Sequence, residues 1–186
     1  MIEAELKARV HAPDAVMRAL DNRAAARVEV YQDTYYDDPA GGLEKRDQEL
    51  RVRTVNGADG RRTVLTFKDA AVDRASGSKP EHETRVEDPQ AVHALLRGLG
   101  YVPVIAFEKQ CRNYDFEAHG RQMLATLVRV PEIDGTFLEV ETIVDEVDLA
   151  AALDAIRGVL AEIGIDSEED LTRDTYTSAV RARRSP

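Results

Sequence analysis

The chain has 186 residues, 43% hydrophobic and 32% charged, the balance of one folded globular domain (residues 1–186) rather than a disordered chain. Its net charge of −10 excludes the basic exterior that non-specific nucleic-acid binding needs, while leaving room for a basic pocket inside. A lone cysteine, Cys111, excludes an internal disulfide, and no stretch reads as a membrane span or a signal peptide, so a soluble cytoplasmic protein with no membrane partner is expected.

The first strand is Ile2 to Lys7. Its side chains alternate, so Glu3, Glu5 and Lys7 face one way and Ile2, Ala4 and Leu6 the other. Residues 13–23 read as a short helix with Val16 and Leu20 on one face. A β-rich run over residues 27–37 ends at Asp38-Pro39 and Gly41-Gly42. Residues 44–47 read as a solvated loop. Strands at 49–55 and 62–68 form a hairpin, and a polar loop at 73–79 leads to a strand at 81–87. Asp88-Pro89 opens a helix that runs to about Leu99. Residues 101–117 and 121–130 pair around His119-Gly120, and a further strand covers 136–143. Residues 149–163 carry apolar side chains at helical spacing, and Ser167 with Asp170 is expected to open a last helical segment. About eight strands and three or four helices in antiparallel order define an α+β fold, an eight-stranded closed β-barrel with helices packed outside.

Strand parity then locates the charge. Arg51 and Arg53 share a face backed by Leu50 and Val52; Lys68 shares one with Thr66; Glu81, Glu83, Arg85 and Glu87 share one; Glu139 and Glu141 share one backed by Leu138 and Val140. Amphipathic helices must bury their apolar stripes against the apolar sheet faces, which leaves the charged faces lining the lumen. Dry, such a lumen would be strongly unfavourable. Wet, it suits a highly charged ligand: converging Arg and Lys groups bind phosphate oxygens, and clustered carboxylates without His or Cys bind a hard cation such as Mg²⁺ or Mn²⁺. Both together suit a metal-chelated polyphosphate as the expected partner. The four scattered histidines carry no zinc spacing.

Glu3-x-Glu5-x-Lys7 resembles the ExExK signature of the CYTH, or triphosphate tunnel metalloenzyme, superfamily, which holds class IV adenylyl cyclases, thiamine triphosphatases and tripolyphosphatases. Asp33-Thr34-Tyr35-Tyr36-Asp37, Leu50-Arg51-Val52-Arg53, Thr66-Phe67-Lys68, Glu81-x-Glu83 and Phe137-Leu138-Glu139-Val140-Glu141 match in family order. The resemblance implies metal ligands at Glu3, Glu5, Glu139 and Glu141. It implies triphosphate binding by Lys7, Arg51, Arg53, Lys68, Lys109 and Arg112, oriented by Glu83, with Glu5, Lys7 and Arg53 central to catalysis. Cys111 stands where many relatives carry a second base, and no acid appears within Thr126–Val130 where many carry an aspartate. Arg173-Asp174-Thr175-Tyr176 departs from the family's C-terminal pattern. By parity, Arg112 faces away from Lys109 unless a bulge re-aims it.

Two reactions are implied: cyclisation of ATP to cyclic AMP and pyrophosphate, or hydrolysis of a triphosphate. A non-catalytic polyphosphate- or nucleotide-binding module is the alternative. Cys111 reads as a buried packing residue rather than a nucleophile, His82 as a core or surface residue, and Tyr35 and Tyr36 as packing or ligand contacts. The acidic exterior fits either a monomer or a homodimer.

Overall fold

A computed structural model describes residues 1–185. Eight antiparallel strands close into a barrel: β1 (Ile2–Val10), β2 (Arg27–Asp37), β3 (Glu49–Gly57), β4 (Gly60–Lys68), β5 (Lys79–Val86), β6 (Val102–Ala118), β7 (Arg121–Arg129) and β8 (Thr136–Val144). The order around the barrel is β1-β5-β4-β3-β2-β6-β7-β8. Five α-helices accompany it among the described residues: α1 (Pro13–Asp21), α2 (Gly42–Lys45), α3 (Pro89–Gly98), α4 (Leu149–Glu162) and α5 (Tyr176–Arg184).

Two outer cores bury the apolar strand faces. Val16 and Leu20 of α1 and Leu153, Ile156 and Leu160 of α4 join one cluster with Ala4, Leu6 and Ala8 of β1 and Leu138 and Val140 of β8. Leu43 of α2 and Leu96 of α3 join another with Tyr36, Leu50 and Val52. Each Leu or Ile so buried stabilises by about 1.5–3 kcal/mol, and the helices thereby commit the apolar faces outward and the charged faces inward. A third cluster lies on the lumen side, where Tyr176 and Val180 of α5 pack with Ile105, Phe107, Val128 and Val130. No helix among the described residues is long and apolar enough to cross a membrane.

The segment after α4 departs from expectation. Ser167 caps only a single 3₁₀ turn, Glu168–Asp170, accepting from the Glu169 amide. The chain then straightens, because Leu171 bridges to Ala8 and the Thr172 amide donates to the Lys7 carbonyl. The last helix starts later, where Thr175 caps α5 through the Ser178 amide. Residues 42–45 form the short α2 rather than a loop; the Asp37 carboxylate accepts from the Leu43 and Glu44 amides at 2.8 and 3.1 Å, which turns the chain there.

Candidate active site

The lumen holds a cavity of about 650 Å³ that Glu3, Glu5, Lys7, Arg51, Arg53, Lys68, Glu83, Lys109, Glu139 and Glu141 all line. Register explains the convergence. Lys7 pairs with Glu139 and Glu5 with Glu141 across β1 and β8, while Asp33 pairs with Arg53 across β2 and β3. Residues in register project to the same face.

Acids gather on the β1/β8 side. Carboxylate oxygens of Glu3, Glu5 and Glu141 lie within 4.8 Å of one another. Burial and the neighbouring Glu139 and Glu3 push Glu5 up to about 7. Glu141 is raised well above the usual carboxylate range by burial, Glu3 and Glu5. Burial would raise Glu3 as well, but Lys68 overrides it and holds that carboxyl at about 2. Glu139 stands beside this trio with an oxygen 3.7 Å from Lys109 Nζ; burial opposes its ionisation, and Lys109 and Lys7 prevail and keep it low. Like charges this close are held only by protonation or by a cation. The all-oxygen donor set fits a hard divalent ion, and Glu3, Glu5 and Glu141, with Glu139 next to them, are the residues that would hold it.

Cations face them from the other strands. Arg53 Nε and an Nη donate to the two oxygens of Asp33 at 2.7 and 2.8 Å, a bidentate pair with Asp33 fully buried. Burial would raise the Asp33 carboxyl; Arg53 instead holds it far below its ordinary range. Arg51 is buried, donates to Thr66 Oγ1 at 3.3 Å and leaves its Nε without a partner; Thr66 in turn donates to Glu83 at 2.9 Å. Lys68 bonds Glu3 and lies 2.9 Å from Glu81, which keeps its ammonium charged despite burial. The Lys7 ammonium donates to the Asp174 carbonyl and sits 4.7 Å from the Tyr176 ring centroid.

One expected ligand lies elsewhere. Arg112 is on the outer face, its Nε donating to Tyr114 Oη at 3.2 Å and an Nη to Asp21 at 3.4 Å. It lines a separate groove with Pro13, Met17 and Val28. The correction follows from strand parity: Lys109 points inward, so Arg112 points outward, and the one irregularity between β2 and β6 falls at Tyr35/Tyr36, too distant to re-aim it. Cys111 does point inward but is buried among Tyr31, Phe107 and Val128, and burial pushes its thiol up to about 12. Of the two tyrosines, Tyr35 stacks on Phe107 and lines the cavity, whereas Tyr36 turns outward to bond His93 on α3 at 2.6 Å.

Several lining residues were not singled out as ligands by the sequence. Arg74 and Ser76 come from the loop before β5 and Lys79 from the first position of that strand, while Thr172, Arg173, Thr175 and Tyr176 come from the C-terminal segment. Arg173 donates to the Arg74 carbonyl, joining the two segments. Asp33 carried a signal in retrospect: alternation within β2 aligns it with Tyr31 and Tyr35 on one face.

The closed barrel thus gathers carboxylates on one side of its lumen and bases on the others. The CYTH domain profile matches residues 1–175, and the chain belongs to the CYTH domain family. It is similar to a Methanocaldococcus jannaschii protein named "Putative adenylate cyclase MJ0240", with 23% identity over 179 residues, covering 95% of this chain and 97% of that one. Among solved structures it resembles the PH1819 protein of Pyrococcus horikoshii OT3 with a TM-score of 0.83 and 25% identity, covering 98% of this chain and 99% of that one. It also shares its fold with HpAC1 of Hippeastrum, described as a "putative adenylyl cyclase" with "a dominant triphosphatase activity"; the TM-score is 0.68 and the identity 18%, over 97% of this chain and 95% of that one.

Proposed function

We propose that the protein is a divalent-metal-dependent enzyme that acts on a triphosphate held in the barrel lumen. The observation that carries this reading is the segregation of charge inside one cavity: the Glu3/Glu5/Glu141 cluster on one side, and Lys7, Arg51, Arg53, Lys68 and Lys109 on the others. Among these cations Arg51 keeps its buried Nε without a hydrogen-bond partner. A phosphate chain brings the acceptor it lacks.

The residues divide the work by position. Arg53, braced by Asp33, keeps a fixed orientation and needs no rearrangement when phosphate oxygens arrive. Arg51 is held by a single bond to Thr66, whose hydroxyl Glu83 orients. Lys7 and Lys109 flank Glu139 and offset charge that develops on a leaving phosphate. A divalent cation at the carboxylates, when bound, polarises phosphoryl oxygens as a Lewis acid. Glu5, with its proton held up to about 7, releases that proton as the cation binds.

The cradle serves cyclisation of ATP and hydrolysis of a terminal phosphate alike. The jannaschii relative bears a cyclase name and the Hippeastrum protein a cyclase name with triphosphatase activity, so both belong to this reading. Phosphorus NMR of the purified protein with ATP, and separately with tripolyphosphate, in Mg²⁺ or Mn²⁺ tests it. Turnover that stops on addition of a chelator is the expected result. Cyclic AMP with pyrophosphate assigns a cyclase, and orthophosphate assigns a triphosphatase. Unchanged spectra with both substrates would contradict an enzyme and leave a binding module.

A further inference from the structure

Beneath Arg53 and Lys109 lies a set of side chains that no motif marks. Tyr31, one of the inward residues of β2, lies under both cations: Arg53 Cζ is 4.5 Å from the ring centroid and Lys109 Nζ is 5.9 Å away. The phenol is pinned in turn. Tyr31 Oη accepts from Asn113 Nδ2 at 2.8 Å and donates to Glu29 at 3.3 Å. Glu29, itself buried, accepts from Asn113 at 2.7 Å and from both Arg62 Nη groups at 2.6 and 3.2 Å. Thr126 donates to Asn113 Oδ1 at 2.9 Å. Four strands thus contribute to holding one ring in one orientation, and each polar group in the network has a partner.

The physical consequence concerns Lys109. Its side chain is buried, yet its nearest carboxylate oxygen is 3.7 Å away, beyond hydrogen-bonding range. The rings of Tyr31 and Tyr176, the latter 4.9 Å from Nζ, offset its desolvation through their π faces. A π face stabilises an ammonium without consuming its N–H groups, so they stay available to an arriving anion. Arg53 is arranged likewise, with its edge spent on Asp33 and its face on Tyr31.

We propose that Tyr31, fixed by Glu29, Asn113, Arg62 and Thr126, is a positioning residue that presents Arg53 and Lys109 to the triphosphate in a preset arrangement. The proposal rests on the reading of the lumen as a triphosphate site. Titration calorimetry of tripolyphosphate binding to the full chain tests it, alongside Mn²⁺ binding measured without phosphate. Tyr31→Leu is expected to weaken tripolyphosphate binding about tenfold or more, the size of one or two lost cation–π contacts. Tyr31→Phe keeps the π face but loses the hydrogen bonds through Oη that fix it, so its affinity should fall between those of wild type and Tyr31→Leu. Mn²⁺ affinity should be unchanged in both, because the carboxylates do not rest on this ring.

Should the leucine variant fail to fold, fluorinated phenylalanines at position 31 keep the shape while draining the π face; affinity for tripolyphosphate should then fall with each added fluorine. Equal binding across that series, or equal losses of Mn²⁺ and tripolyphosphate binding in Tyr31→Leu, would overturn the role given to Tyr31 alone. Wild-type protein that binds no tripolyphosphate would instead overturn the reading of the lumen on which the proposal stands.

Discussion

Replacing Asp33 with alanine is expected to cost about 3–5 kcal/mol of folding stability, the range for removing one partner of a buried ion pair. Arg53 would be left charged, with its Nε and Nη donors no longer met by the two Asp33 oxygens they now reach at 2.7 and 2.8 Å. Nothing else stands ready to take over: the Tyr31 ring covers only the guanidinium face, and the next base, Arg51, repels it. Asp33→Asn keeps one acceptor near the fork and should lose less. Denaturant unfolding followed by circular dichroism reads the difference directly, and equal stability of wild type and Asp33→Ala would contradict the bracing role. Activity should fall with the alanine variant even at temperatures where it is folded, because a mobile Arg53 must be ordered again at each turnover.

Glu5→Gln should move stability and function in opposite directions. In the metal-free protein Glu5 is held up to about 7 against an ordinary value of 4.5. Between those two pH values the unfolded chain releases the proton and the folded chain keeps it, so the stability of the folded protein falls as pH rises through that window. Glutamine removes the titration. Glu5→Gln should therefore melt higher than wild type at pH 8, by about 2–4 °C for each kcal/mol recovered, and the gap should close toward pH 4. Saturating Mg²⁺ should reverse the order by stabilising wild type alone. Turnover with Mg²⁺ should drop about 10²-fold or more, since a metal's charge stabilisation is worth several kcal/mol and each 1.36 kcal/mol is tenfold in rate. A variant that melts no higher than wild type in chelator, or keeps wild-type turnover, would show that Glu5 is neither crowded nor needed.

Strand alternation made the lumen legible before any coordinates. Glu3, Glu5 and Lys7 opposite Ile2, Ala4 and Leu6 form a period-2 pattern that assigns two faces, and amphipathic helices leave one orientation for them. The same alternation indicated that Arg112 opposes Lys109, and the β2/β6 register keeps it outside. What local pattern cannot carry is pairing between distant segments. Asp33 braces Arg53 because β2 and β3 align them, and Asn113 reaches Glu29 from β6 across 84 positions of sequence. The Asp174 carbonyl reaches Lys7 across 167 positions. Ser167 does cap a turn, yet the bridge from Leu171 to Ala8 limits it to one. Propensity starts a helix, and competing long-range hydrogen bonds decide how far it runs.

A crystal structure of the protein with Mn²⁺ and tripolyphosphate tests the central claim most directly. Anomalous scattering should place the ion among the carboxylates of Glu3, Glu5 and Glu141, with Glu139 adjacent. The phosphate chain should lie within reach of Arg51, Arg53, Lys109 and Lys7. Manganese bound elsewhere, or phosphates confined to the outer surface beside Arg112, would contradict the assignment of the lumen as the site of chemistry.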